Sequence, residues 1–197
     1  MKITVWAVWA VAVPLQVALT DFCEASPVQW ATADGGSGHW YDAVPVEGGI
    51  DWYSINPDPE GQGWHLATIT SAEENLYIYG LIKDDPRYWL WDGVNAAGPW
   101  IGGYQPPGSP EPAGGWSWVT GELWVYENWA SAEPNNLGGE ECAHFFAKGK
   151  PADATLNDLK GLLPLPGYVR EMVPEPASLV LLLVGAAAVK RFGRQPR

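Results

Sequence analysis

The chain has 197 residues and a formal net charge of −12, which fits one domain with terminal extensions. Its few Lys and Arg residues cannot neutralise a run of phosphates, and this excludes nucleic acid as a partner. Its 13 tryptophans, with abundant Gly and Pro, favour a loop-rich, strand-containing domain over a helical bundle.

In chain order, residues 1–25 read as a secretory signal peptide. Lys2 precedes an apolar run broken by Pro14 and Gln16, and Cys23 and Ala25 are the small residues of a cleavage point after Ala25. A membrane anchor is the competing reading, disfavoured by the Pro, the Gln and the small-residue exit. Cleavage there leaves Cys142 as the only thiol, so no intrachain disulfide is available. Residues 26–38 are small and polar and read as a flexible lead-in.

"GHWYDAVP" alternates aromatic and polar residues and predicts a first strand. "GIDWYSINPDPEGQG" is limited by Pro57 and Pro59 to a helical turn or two. "HLATIT" predicts a short strand or extended segment. "SAEENLYIYGLI" predicts a helix, with Ser71 as cap, Glu74 at the capping-box position, and Leu76, Tyr79 and Ile82 on one face. "GWSWVTGELWVYENW" predicts two strands about the turn Thr120–Glu122, with most of its Trp residues in the core. "CAHFFA" and "GYVREM" predict two further strands.

The stretch "ENWASAEPNNLGGEEC" is hard to explain by packing. It offers Glu133, Asn135 and Glu140, and Asn157 and Asp158 follow nearby. Three ionised oxygen donors with amide carbonyls among them suit calcium, which takes six to eight oxygens in irregular geometry. Zinc would need more nitrogen and sulfur donors than His39, His65, His144 and one Cys supply. A cis Glu133–Pro134 bond would turn the Glu133 carboxylate and the Asn135 amide the same way. Asn157 and Asp158 would close the cage from a neighbouring strand, with the Asp158 carbonyl as a further ligand. Glu140 and Glu141 would face opposite ways, so only Glu140 is assigned to the ion. Two coordination positions left open would suit a vicinal diol, whose hydroxyls can also bond Glu133, Glu140, Asn135 and Asn157.

From about His39 to Met172 the chain resembles a C-type lectin-like domain. The carriers are "GWHLATITSAEEN", "WIGG" at Trp100, "WVTGE" at Trp118, "NWASAEPNN" at Asn128, "GEEC" at Gly139 and "LND" at Leu156. The resemblance implies an α+β fold of small antiparallel sheets, one clear and one short helix and a long loop region, over residues 39–172. It implies a sugar-binding calcium site at Glu133, Asn135, Glu140, Asn157 and Asp158, with a mannose-type preference marked by Glu-Pro-Asn. Departures are Leu156 where the family has Trp, and Cys142 without its usual disulfide partner. A structural or adhesive surface protein of the same fold, with a protein ligand, is the alternative. No arrangement supports an enzyme: adjacent carboxylates cannot flank a scissile bond, and Cys142 with His144 reads as a pair of partly buried strand residues.

Residues 173–197 resemble a PEP-CTERM sorting signal: Val173, Pro174, Glu175 and Pro176, an apolar segment 177–189 too short for a permanent span, and a basic end at Lys190 and Arg191. That resemblance implies export, transient membrane contact, tail removal by an exosortase, and a final place at a bacterial cell surface or in extracellular matrix.

Overall fold

The computed structural model describes residues 26–57, 62–148 and 154–174. The signal peptide, Glu175, Pro176, the apolar segment 177–189 and the basic tail lie outside the described residues. Among the described residues no helix is long and apolar enough to cross a membrane.

Among the described residues nine strands form the sheet: β1 (Val28–Gln29), β2 (Trp40–Ile50), β3 (His65–Leu66), β4 (Leu90–Trp91), β5 (Asn95–Tyr104), β6 (Ser117–Trp118), β7 (Cys142–Lys148), β8 (Thr155–Leu159) and β9 (Leu165–Met172). The main order is β1-β2-β9-β5-β7-β8, with β3 on β9 and both β4 and β6 on β5. β2 and β9 run antiparallel from Trp40 opposite Met172 to Pro45 opposite Gly167, so the two ends of the domain close on each other. β9 alternates buried and half-buried residues along its whole length, the period-two pattern of a strand with one face on a core. β5 is buried on both faces over most of its length, as the middle of the sheet requires. Gly102 lets it lie there: a Cβ at that position would sit 2.7 Å from the Leu66 carbonyl.

The helix α1 (Ala72–Ile82) begins where Ser71 Oγ accepts from the Glu74 N–H at 3.1 Å. The reciprocal arm of the capping box is shifted by one residue. Glu74 accepts from the Thr70 N–H at 2.6 Å and the Thr70 hydroxyl at 2.9 Å, not from Ser71. The buried stripe is Asn75, Ile78, Tyr79 and Ile82, at i, i+3, i+4 and i+7. Leu76, read onto that face, is 63% exposed, because spacing by three alone drifts off the stripe.

Two other expectations change. The lead-in is built onto the sheet: β1 pairs with β2, and Trp30 stacks on Tyr77 with ring centroids 5.2 Å apart. The second strand after Thr120–Glu122 does not form, since only Ser117–Trp118 joins the sheet. Trp124 instead stacks on Trp118 at 4.2 Å, and Trp116 packs against Trp129 at 4.7 Å. Ring contacts hold this segment where a hydrogen-bonded ladder was expected. The turn at Trp52–Ser54 is a single 3-10 turn, capped by Asp51.

A buried polar joint ties the first long strand, the helix and the last strand together. The Tyr41 hydroxyl donates to Glu74 Oε1 at 2.5 Å and lies 3.3 Å from Glu171 Oε1. Glu171 accepts from the Thr68 N–H at 2.9 Å and meets His39 Nδ1 at 2.5 Å.

Candidate functional site

The loop before β7 is pinned at its root by β8. The Ala130 N–H donates to the Leu156 carbonyl at 2.8 Å, and the Leu156 N–H to the Asn128 carbonyl at 2.9 Å. Leu156 itself is 1% exposed and packs in the main core, so this shorter side chain still anchors the root by backbone pairing. The Asn128 amide adds a bond to the Ala154 carbonyl at 2.6 Å.

The loop tip folds onto Asp158. Asp158 is fully buried, and its carboxylate accepts from the Asn135 N–H at 3.0 and 3.1 Å and from the Asn136 N–H at 2.7 Å. The Glu133–Pro134 peptide bond is cis. The Asn135 amide donates to Glu133 Oε2. The Leu137 N–H is shared between Asn135 Oδ1 at 2.7 Å and Glu140 Oε2 at 2.9 Å. Glu133, Asn135, Glu140 and Asp158 thus form one hydrogen-bonded unit. Asn157 joins it through the Asp158 carbonyl, to which its amide donates at 2.6 Å.

Three carboxylates close together strain one another electrostatically. Burial, then the negative charge of Asp158 and of Glu140, pushes Glu133 up to about 7. Burial and Asp158 raise Glu140 as well, with Lys160 working against the shift. A divalent cation would relieve this repulsion. The donors are all carboxylate, amide or backbone oxygens, which fits a hard ion and not zinc. Among the described residues the one His/Cys/Asp/Glu trio with ligand atoms all within 4.8 Å is His39, Glu74 and Glu171, at the buried joint and not at the loop.

Glu141 turns away, as its neighbour Glu140 turns in. Its Oε1 accepts from the Tyr53 hydroxyl at 2.8 Å and the Gly161 N–H at 3.0 Å. Cys142 and His144 are both buried and do not bond each other. Burial pushes the Cys142 thiol far above its usual range, which makes it unreactive. Two contributors escaped the sequence reading. Asn136, at φ 51°, accepts from the Glu140 N–H at 2.7 Å and closes the loop tip. His144 meets the amide of Asn157. The only signal for Asn136 was its place in the Asn-Asn pair, and for His144 its two-residue offset from Cys142.

The architecture is the C-type lectin-like fold. The chain superimposes on the calcium-independent type II antifreeze protein with a TM-score of 0.53 and 21% identity, over 77% of this chain and 94% of that one. In sequence it is 27% identical to the asialoglycoprotein receptor 2 of Mus musculus over 134 residues, 64% of this chain and 37% of the receptor. It is 31% identical to the C-type mannose receptor 2 of Mus musculus over 93 residues, 47% of this chain and 5% of that receptor. The chain therefore spans well under half of the length of these relatives. No family model matches it. Both relatives are named as receptors, the second as a C-type mannose receptor.

Proposed function

We propose that this chain is a calcium-dependent carbohydrate-binding protein, with calcium held by Glu133, Asn135, Glu140, Asn157 and Asp158. One observation carries the reading: Glu133, Asn135 and Glu140 on the loop converge with buried Asp158 on β8 into a crowded anionic cage. The ion would supply a Lewis-acidic anchor for two adjacent sugar hydroxyls. Glu133 and Glu140 would accept their protons, and the amide of Asn135 would donate to their oxygens; the Asn157 NH2 is engaged by His144 and the Asp158 carbonyl, which leaves its oxygen for the ion. Cis-Pro134 sits between the two residues that set the sugar preference, which by the Glu-Pro-Asn triplet is mannose-type. The relatives' names point in two directions, to asialoglycoproteins and to mannose, so the triplet is the argument for mannose.

The signal peptide and the tail would place the protein outside the cell. The 173–197 segment would meet the membrane briefly, be cut by an exosortase, and leave the domain at a bacterial cell surface or in matrix. The adhesive alternative draws on the exposed Leu123, Val125 and Leu137 around the loop, which a protein ligand could cover.

Calorimetric titration of calcium into the chelator-treated protein, with and without mannose, tests the reading. Calcium binding tightened by mannose is expected, because two ligands sharing an ion must enhance each other. No calcium uptake at millimolar levels would remove the lectin mechanism and leave the adhesive one.

A further inference from the structure

Beyond the root of the loop, on the side to which Glu141 turns, lies a cleft of about 530 Å³, a volume typical of small-ligand sites. Trp52, Tyr53, Tyr104, Gln105, Glu111 and Glu141 line it. The three aromatic rings are continuous. Trp52 meets Tyr53 edge-on at 5.4 Å and Tyr104 at 5.8 Å, and the Trp52 indole is fixed by its bond to the Ile101 carbonyl at 2.9 Å.

The charged groups are both carboxylates, and the Asn56 and Gln105 amides lie beside them. Glu141 is held in place by Tyr53 and the Gly161 N–H. Glu111 is an exposed second carboxylate at the same cleft. Gln105 is 4% exposed; its amide donates to the Pro112 carbonyl at 3.0 Å and the Gly114 carbonyl at 2.7 Å, while its Oε1 has no hydrogen-bond partner. Among the described residues no Lys, Arg or His lines the cleft.

We propose that this cleft binds an organic cation with N–H donors, an alkylammonium or guanidinium group the size of a lysine or arginine side chain. The negative faces of the rings attract such a cation, and its N–H groups match the two carboxylates. A neutral sugar would leave both carboxylates without a counter-charge. A bare metal ion would find aromatic carbon where it needs oxygen. The site is independent of the calcium reading, since Glu140 and Glu141 point to different places, and either can fail alone.

The test is tryptophan indole NMR on the full chain, titrated with n-butylammonium, n-butylguanidinium and the neutral n-butanol. Saturable shifts of the Trp52 indole signal are expected with the two cations, reduced by added salt. Butanol should give none. The double variant E111Q/E141Q should weaken cation binding about tenfold, the scale of two charge-assisted bonds in a half-exposed site, while calcium uptake stays unchanged. E111Q alone, at an exposed position, gives the same reading if the double variant does not fold. Equal shifts with butanol, shifts that do not saturate, or undiminished binding in E111Q would overturn the proposal.

Discussion

His144 Nε2 lies 3.1 Å from the Asn157 amide nitrogen, across the neighbouring strands β7 and β8. The other ring nitrogen, Nδ1, is 2.7 Å from the Phe145 carbonyl, which can only accept. Nδ1 therefore carries the proton and Nε2 is the acceptor. Burial holds the ring neutral, with its pKa down at about 4. Asn157 must then offer its NH2 to the histidine, which fixes the orientation of its amide oxygen. His144→Phe keeps an aromatic ring against Trp100, whose centroid is 5.6 Å away, but removes the acceptor. Calcium affinity should fall roughly fivefold, the equivalent of about 1 kcal/mol for one hydrogen bond. Unchanged affinity in a calorimetric titration would mean that Asn157 is not a ligand or is oriented by something else.

At the proposed calcium site Glu133 would make ion binding a proton exchange. Its folded pKa is raised from 4.5 to about 7, so the calcium-free fold binds this proton more tightly than the unfolded chain does. The stability this contributes is complete below about pH 4.5 and is lost as pH rises through 7. Calcium must displace the proton. The rise in melting temperature caused by calcium should therefore grow from pH 4.5 to beyond 7. Glu133→Gln should flatten that growth. A calcium effect independent of pH in the wild-type protein would show that Glu133 is not in contact with the ion.

His144 acts in the opposite sense. Its folded pKa is lowered from 6.5 to about 4, so its contribution is complete above pH 6.5 and is lost as pH falls through 4. That loss should appear with and without calcium and be absent in His144→Phe, measured by thermal melts between pH 4 and 7. An acid limb that persists unchanged in the variant would assign it to other groups.

How legible each feature was follows from how local it is. The Ser71 cap could be read because cap, helix and capping box lie within four residues. Leu76 was misplaced because a spacing of three fits several stripes, and only packing against the sheet selects the one through Asn75 and Ile82. The missing strand after Glu122 had the right alternation, but the Trp124 ring found Trp118 in place of a ladder partner. That Glu133, Asn135 and Glu140 of the loop would meet Asp158 of β8 could be read, because oxygen-rich side chains at a turn call for a common partner. His144 could not, because its role depends on the register that sets it opposite Asn157. The joint of Tyr41 with Glu171 spans 130 positions, a distance at which no sequence pattern operates.

That joint carries a stability prediction. The Tyr41 hydroxyl donates to one buried carboxylate and sits within reach of a second. Tyr41→Phe keeps the ring and deletes the donor between two carboxyl groups. Removing the hydrogen bond to a buried carboxylate should cost about 2 kcal/mol, read as a lower urea midpoint. Adding Glu74→Gln should recover part of the loss, since the amide carries no charge to satisfy. A single variant as stable as the parent would show that the Thr70 and Thr68 bonds to the carboxylates suffice.

The proposed sugar preference would rest on the order of donor and acceptor across Pro134. In the wild-type loop the Asn135 amide donates and Glu133 accepts. Glu133→Gln with Asn135→Asp reverses that order, because the amide now precedes the proline and the carboxylate follows it. The loop's net charge and its supply of oxygens are unchanged, so calcium affinity should stay within a few-fold of wild type. A sugar hydroxyl that met an acceptor would then meet a donor, and its neighbour the reverse. The resemblance to C-type lectins predicts that such a swap moves binding from mannose-type to galactose-type sugars. Competitive elution from a mannose resin by free mannose and free galactose reads the change directly. If the double variant keeps the wild-type preference while still binding calcium, then the triplet holds the ion but does not choose the ligand, and selection lies in the residues around the loop.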